Sequence, residues 1–155
     1  MQTPLLALYG KISRWPFGHW LFSKAVCFKA PYFGSISPVI TRLEHSRCEA
    51  VIKDRRAVHN HIGTVHAIAL CNLAELCAGV MTDASLPKGM RWIPKGMTVS
   101  YLKRAKDRMH AIATPMIPIT STDTGYDLPV NVDVLDSSGD KVFHAEIRMW
   151  MSPRK

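Results

Sequence analysis

The chain is short of acid, and several common signatures are missing from it. Twelve Asp and Glu stand against twenty Lys and Arg, a formal charge of +8, and residues 1–43 carry five basic side chains and no carboxylate. Such a balance admits three partners: nucleic acid, an anionic membrane surface or a small phosphorylated ligand. The basic residues are dispersed, in pairs such as Arg55-Arg56 and Lys103-Arg104 with no run of five, and no RNA- or DNA-reading motif occurs, so nucleic acid is set aside. No apolar run reaches the roughly 18 residues that a membrane span requires. The four cysteines, Cys27, Cys48, Cys71 and Cys77, form no CxxC pair and are too sparse for a disulfide scaffold, which fits a reducing, cytoplasmic compartment. Internal repeats, low-complexity tracts and linkers are also missing. With 155 residues, the expectation is one domain over 1–155, made of an N-terminal extension (1–34) and a core (35–152).

What is there falls into two patterns. Near the N-terminus, Thr3 reads as a helix N-cap with Pro4 at the first helical position, and a second helix starts near Pro16. Leu5, Leu8, Phe22 and their neighbours give these segments an apolar face, read here as packing onto the domain in preference to a transit peptide or membrane-surface helix. After the turn-rich "APYFGSISP" the spacing changes to alternation. Strands are expected at Val39–Leu43, with Val39, Thr41 and Leu43 inward, and at Cys48–Ile52, joined by a turn at His45-Ser46. A long helix follows over Val65–Thr82 with Thr64 as N-cap and "DASLPKG" as its exit. Strands then recur at Met97–Arg104, Met109–Ile117, Leu128–Leu135 and Val142–Met151, the last two joined by "DSSGD". The long helix, with only Asn72 and Glu75 strongly polar in its middle, reads as apolar all round and must be surrounded. About six antiparallel strands curled around it give an α+β architecture with N-terminal helices.

The stretch "NHIGTVHAIALCNLAEL" resembles the hotdog-fold thioesterases, particularly the PaaI-like branch. There an Asn, a Gly-Thr step, a His at the helix start and an acid nine positions beyond that His recur, and Asn60, Gly63-Thr64, His66 and Glu75 match without a gap. The chain departs from the pattern twice. His66-Ala67-Ile68 replaces the usual His-Gly-Gly, and the usual Asp is Glu75. The resemblance implies a hotdog fold, thioester hydrolysis and sites shared between subunits.

An ionised carboxylate in apolar surroundings must find donors, take up a proton or face a wet cavity. Glu75 is therefore either a structural ion paired with an Arg or His, or a general base or nucleophile for thioester cleavage. The free N–H groups at the helix start, near His66 and Ala67, suit the developing oxyanion, with Asn60 positioning water or the acyl carbonyl. Ala67 and Glu75 are eight residues apart, about 12 Å along one helix axis, too far to serve one carbon. A homodimer with antiparallel helices, with further assembly to a tetramer as a variant, is expected to pair one chain's Glu75 with the other's Ala67. Gly63, Thr64 and Val65 would then contact substrate, Arg55, Arg56, Lys103 and Arg104 the phosphates of coenzyme A, and Met97, Tyr101 and Met116 an acyl pocket. His59, His61 and His66 fit no common zinc spacing, so neither a metal nor a cofactor is expected. The rivals to an acyl-CoA thioesterase are a hydratase or dehydratase on the same scaffold and a non-catalytic acyl-CoA binder.

Overall fold

The computed structural model describes residues 2–154. Two helices, α1 (Pro4–Ile12) and α2 (Gly18–Lys29), and a 3-10 turn (Pro31–Ile36) precede strands β1 (Val39–Glu44) and β2 (Arg47–Ile52). The long helix α3 (Ala67–Ser85) follows, then β3 (Met90–Tyr101), β4 (Met109–Pro115), β5 (Tyr126–Leu135) and β6 (Lys141–Pro153). The strands form one antiparallel sheet in the order β1-β2-β4-β5-β6-β3, and α3 touches all six. The sheet around a central helix is thus the one that periodicity and resemblance imply.

Alternation explains the core. Along β6, Phe143, Ala145, Ile147 and Met149 are buried against α3, while Glu146 and Arg148 face solvent. On α3, Leu73, Leu76, Cys77 and Met81 are essentially inaccessible. Truncating Leu73, Leu76 or Met81 to alanine costs about 2–5 kcal/mol by cavity formation. The helix has the length and hydropathy of a membrane span, 19 residues at a mean hydropathy of 1.4, yet 72% of that window is buried within the fold, as suits a core helix.

The N-terminal helices close one end of the sheet. Thr3 caps α1 and donates its hydroxyl to the Ala84 carbonyl at the end of α3 (3.0 Å). The α1–α2 turn depends on Gly18, where a Cβ would lie 1.9 Å from the Ile12 carbonyl oxygen. Tyr9 meets Phe22 edge-on at 5.0 Å between ring centres. Ser23 of α2 accepts from the Ile40 N–H (2.8 Å), so a buried hydroxyl occupies the free edge of β1. Among the described residues the opposite edge, β3, has no such cover.

Three expectations are corrected. In β1 the inward residues are Ile40 and Leu43, because a bulge between Ile40 and Arg42 inserts one residue and breaks the Val39-Thr41-Leu43 alternation. Strand β3 begins at Met90 and stops at Tyr101, where Met97–Arg104 was expected. Pro94 and Gly96 hid its first half; both are tolerated there because β3 is an edge strand with an irregularity between them. Helix α3 starts at Ala67 and runs to Ser85, and its N-cap is His66, whose Nδ1 accepts from the Ile68 N–H (3.0 Å). Thr64 serves the preceding loop instead.

Helix α3 is also not enclosed on every side. Ile68 is 55% exposed, Cys71 and Gly79 are half-buried, and Glu75 and Asp83 reach solvent, forming one open stripe along the helix. Beside it, Met97 and Tyr101 stand opposite the buried Ile147 and Phe143 across the ladder, so they share the core face of the sheet, yet they remain 39% and 52% exposed. The Cys71 thiol and Tyr101 hydroxyl, 3.4 Å apart, join helix to strand in the middle of this uncovered zone.

Candidate functional site

The segment leading into α3 is a braced loop. The Asn60 carbonyl Oδ1 accepts from the Ile62 and Thr64 N–H groups (both 3.1 Å), and its amide Nδ2 donates to the Thr64 hydroxyl (2.8 Å). Backbone bonds from Asn60 N–H to Thr64 O and from Gly63 N–H to Asn60 O complete the turn. Gly63 sits at φ +75°, a conformation costly for any residue with a side chain. The Gly-Thr step therefore has a mechanical cause: Gly63 supplies the left-handed turn and Thr64 the hydroxyl that Asn60 grips. Asn60 thus braces the loop, retaining one amide hydrogen for any ligand.

The brace aims the start of α3. Val65 N–H donates to Ala105 O (2.8 Å) and His66 N–H to Val58 O (2.7 Å). Accepting at Nδ1 to cap Ile68 requires the His66 ring to carry its proton on Nε2, so the exposed ring offers a donor at the helix tip. Ala67 is the first helical residue, and among the described residues its N–H has no acceptor, as the geometry of a helix start dictates. A cavity of about 380 Å³ opens here, lined by Asn60, Thr64, Val65, Ala67, Lys103 and Arg104 among others. Six of the eleven expected site residues meet in it, and the positive end of the helix dipole adds to the two cations. Lys103 donates to Asp140 (2.7 Å), a hydrogen bond that raises the ammonium above its ordinary value.

The remaining expectations divide. Glu75 is exposed on the open stripe and belongs to the wall of a different, larger cavity of about 790 Å³ between α3 and the N-terminal helices. The reading of Glu75 as a carboxylate enclosed in apolar surroundings is therefore corrected: within one chain it sees solvent. Arg55 donates to the Ser35 carbonyl (2.9 Å) and the Ser37 hydroxyl (3.3 Å), so its guanidinium ties the loop to the 3-10 turn, and neither it nor Arg56 lines either cavity. Of the three residues expected at an acyl pocket, Tyr101 lines the small cavity, whereas Met97 and Met116 line neither. His59 pairs with Asp54 through Nε2, bracing the loop. That hydrogen bond, helped by one from the Asp107 N–H, holds the Asp54 carboxyl below its ordinary value despite burial. Among the described residues no three His, Cys, Asp or Glu side chains converge as a metal site would need.

Other features escaped sequence reading. Asn72 is buried and donates to the Ser35 hydroxyl (3.2 Å), while its carbonyl Oδ1 has no partner among the described residues. Trp92 donates from Nε1 to Asp83 (2.6 Å), laying its indole over Gly79. Leu5, Leu8 and Phe22, whose helical spacing suggests packing, line the large cavity. The spacing announces an apolar face and says nothing of whether that face meets protein or space.

The family model described as a domain of unknown function, DUF4442, matches residues 18–151. A comparison with curated proteins finds none that matches. Among solved structures, the protein called genomics APC5556 is 42% identical over 97% of this chain and 98% of its own, with a TM-score of 0.81. The thioesterase HI1161 of Haemophilus influenzae superposes with a TM-score of 0.71 at 13% identity, over 83% of this chain and 87% of its own. A mutant of the thioesterase enzyme SAV0944 of Staphylococcus aureus does so with a TM-score of 0.68 at 14% identity, over 79% and 99%. At such identities the last two report the fold alone. The chain belongs to the DUF4442 family, and its fold is the hotdog fold of the thioesterases.

Proposed function

We propose that the protein is an acyl-CoA thioester hydrolase acting as a homodimer, with each site built from Glu75 of one chain and the Ala67 N–H of the other. The carrying observation is the division along α3: an unpaired N–H beside two cations at its tip, and an outward-facing acid eight residues further on. Two such helices lying antiparallel would superpose the halves that a single chain keeps about 12 Å apart. The uncovered zone of α3 and β3, where Ile68, Met97 and Tyr101 remain exposed, supports the same pairing.

In this reading the thioester carbonyl oxygen accepts the Ala67 N–H, and Glu75 takes a proton from a water that attacks the carbonyl carbon. The tetrahedral intermediate collapses with loss of the C–S bond. The thiolate recovers a proton, leaving a carboxylic acid and free coenzyme A. Lys103 and Arg104 hold the phosphates at the mouth, and His66, through its Nε2–H, supplies a further donor. A thiol-release assay over short, long and aryl acyl-CoAs tests this. Release by the parent chain and a loss of at least a hundredfold in Glu75→Gln are expected. Tight binding without turnover would identify a non-catalytic binder, and hydration of an enoyl-CoA without thiol release a hydratase.

A further inference from the structure

The larger cavity has no role in the mechanism beyond the acid in its wall. Its volume of about 790 Å³ lies between α1 and α2 on one side and α3 with the start of β3 on the other. Volumes of several hundred Å³ are typical of sites that enclose a small organic ligand. Leu5 and Leu8 of α1, Val26 of α2, and Leu76 and Val80 of α3 give it aliphatic walls. Trp92 closes part of it, its indole held against α3 by the hydrogen bond to Asp83 and by the lack of a side chain at Gly79, where a Cβ would come within 3.1 Å of the ring. Lys29, Lys88 and Arg154 also contribute to the lining, but they are exposed and leave the aliphatic floor intact.

We propose that this cavity is an acyl-tail site, and that the acyl group of the substrate is a straight aliphatic chain of medium length. Because Glu75 stands in the wall, the tail site rests on the acyl-CoA reading above. Along α3 the cavity extends from Glu75 to Asp83, eight residues, or about 12 Å at the helical rise. An extended methylene advances about 1.25 Å, the projection of a 1.5 Å carbon–carbon bond, so about ten carbons run from the acid to the Trp92 end. An acetyl or aryl-acetyl group would leave most of this apolar wall against water, and a linear tail removes that contact carbon by carbon. The N-terminal helices thereby gain a function: they are the outer wall of the tail site, and chain-length preference is set by residues that sit before the thioesterase-like core begins.

Two measurements test the tail site without depending on turnover. Binding of alkyl-CoA thioethers, from butyl to hexadecyl, is measured by calorimetry on the full chain. Affinity is expected to rise about fourfold per methylene and to level off near the decyl compound. Ala25→Trp, at an exposed position of α2 that lines the cavity, fills space there and should move the plateau to shorter chains. A flat chain-length profile in the parent overturns the proposal, whatever the variant does. So does an unmoved plateau in a variant that melts like the parent. A changed oligomeric state in Ala25→Trp with the plateau unmoved would assign the cavity to a subunit contact, which also overturns it. Hydrolysis fails separately: thioether binding with the expected profile but no thiol release from the matching acyl-CoA sinks the enzymatic reading and leaves the tail site standing, while thiol release with a flat thioether profile does the reverse.

Discussion

Replacing Ala67 by proline tests the proposed oxyanion donor with little collateral damage. Ala67 is the first residue of α3, so its N–H takes part in no helical hydrogen bond, and proline is well accommodated at that position. Proline also restricts the residue before it to extended backbone, and His66 already sits at φ −63°, ψ 138°. The substitution should therefore leave the melting temperature almost unchanged while deleting one N–H. If that N–H faces the transition-state oxyanion, thiol release should fall by about a hundredfold to a thousandfold, the cost of one lost donor, near 3–4 kcal/mol.

A mixing experiment makes the prediction sharper. Co-expressed Ala67→Pro and Glu75→Gln chains, assorting at random, form heterodimers in about half of all pairs under two-fold symmetry. In each heterodimer one site combines the intact Glu75 of the first chain with the intact Ala67 of the second, and the other site has lost both. Activity should return to about a quarter of the parent value, from two preparations that are each nearly inactive. Sites contained within one chain would recover nothing, because every chain carries a lesion. No recovery in a well-folded mixture, or full activity in Ala67→Pro alone, refutes the shared site.

Three further predictions concern the frame around the site. Asn60→Ala removes the three side-chain bonds that hold the 60–64 turn, and should destabilise the fold by about 2 kcal/mol in urea unfolding; an unchanged midpoint would show that the turn holds itself. On the outer face of the sheet, burial raises the Glu49 carboxyl, but hydrogen bonds from Arg47 and His110 outweigh it and hold the group below its ordinary value of 4.5. Because the folded value is the lower one, the contribution is complete above about pH 4.5 and is lost as pH falls further, so Glu49→Gln should lower the melting temperature at pH 7 and converge on the parent near pH 3. Parallel curves across that range contradict it. Asn72→Leu gives up one hydrogen bond to Ser35 but removes a buried carbonyl with no partner among the described residues, so stability should change by no more than about 1 kcal/mol. A loss well above 2 kcal/mol means that Oδ1 is satisfied in the assembled protein.

The sequence exposed the fold wherever one physical rule acted alone. Thr3-Pro4, the His45-Ser46 turn and the alternation in β6 each combine a local signal with one periodicity, and each lies where expected. It failed where two rules compete. Pro94 and Gly96 argue against a strand by propensity, yet edge position and a local irregularity override them. Thr64 and His66 are both able to cap a helix, and the choice turned on Asn60 already holding the Thr64 hydroxyl, a contact no single-residue preference contains. Likewise Asn60 was expected to position water or the acyl carbonyl and Gly63 and Thr64 to contact substrate, while the structure supplies a bracing reason for all three that would hold without any substrate.

The reading of α3 as apolar on every side meets an open stripe in the single chain, and the proposed dimer would reconcile the two. Ile68 and Cys71 on the open stripe are residues of a buried surface, and Met97 and Tyr101 beside them share the core face of the sheet, yet in one chain this zone meets solvent. A chain carrying +8 gains nothing from displaying such a face to water. A second copy laid across it would bury Ile68 and Tyr101, put Glu75 into lower dielectric, and leave the edge of β3 beside an equivalent edge. The enclosed helix of the sequence reading and the open helix of the single chain then describe one molecule at two levels. Under the proposed dimer, the apolar composition of α3 answers to the burial of the assembled form, and the acid in the middle of the helix is the group that a second copy would convert from a solvated side chain into a site.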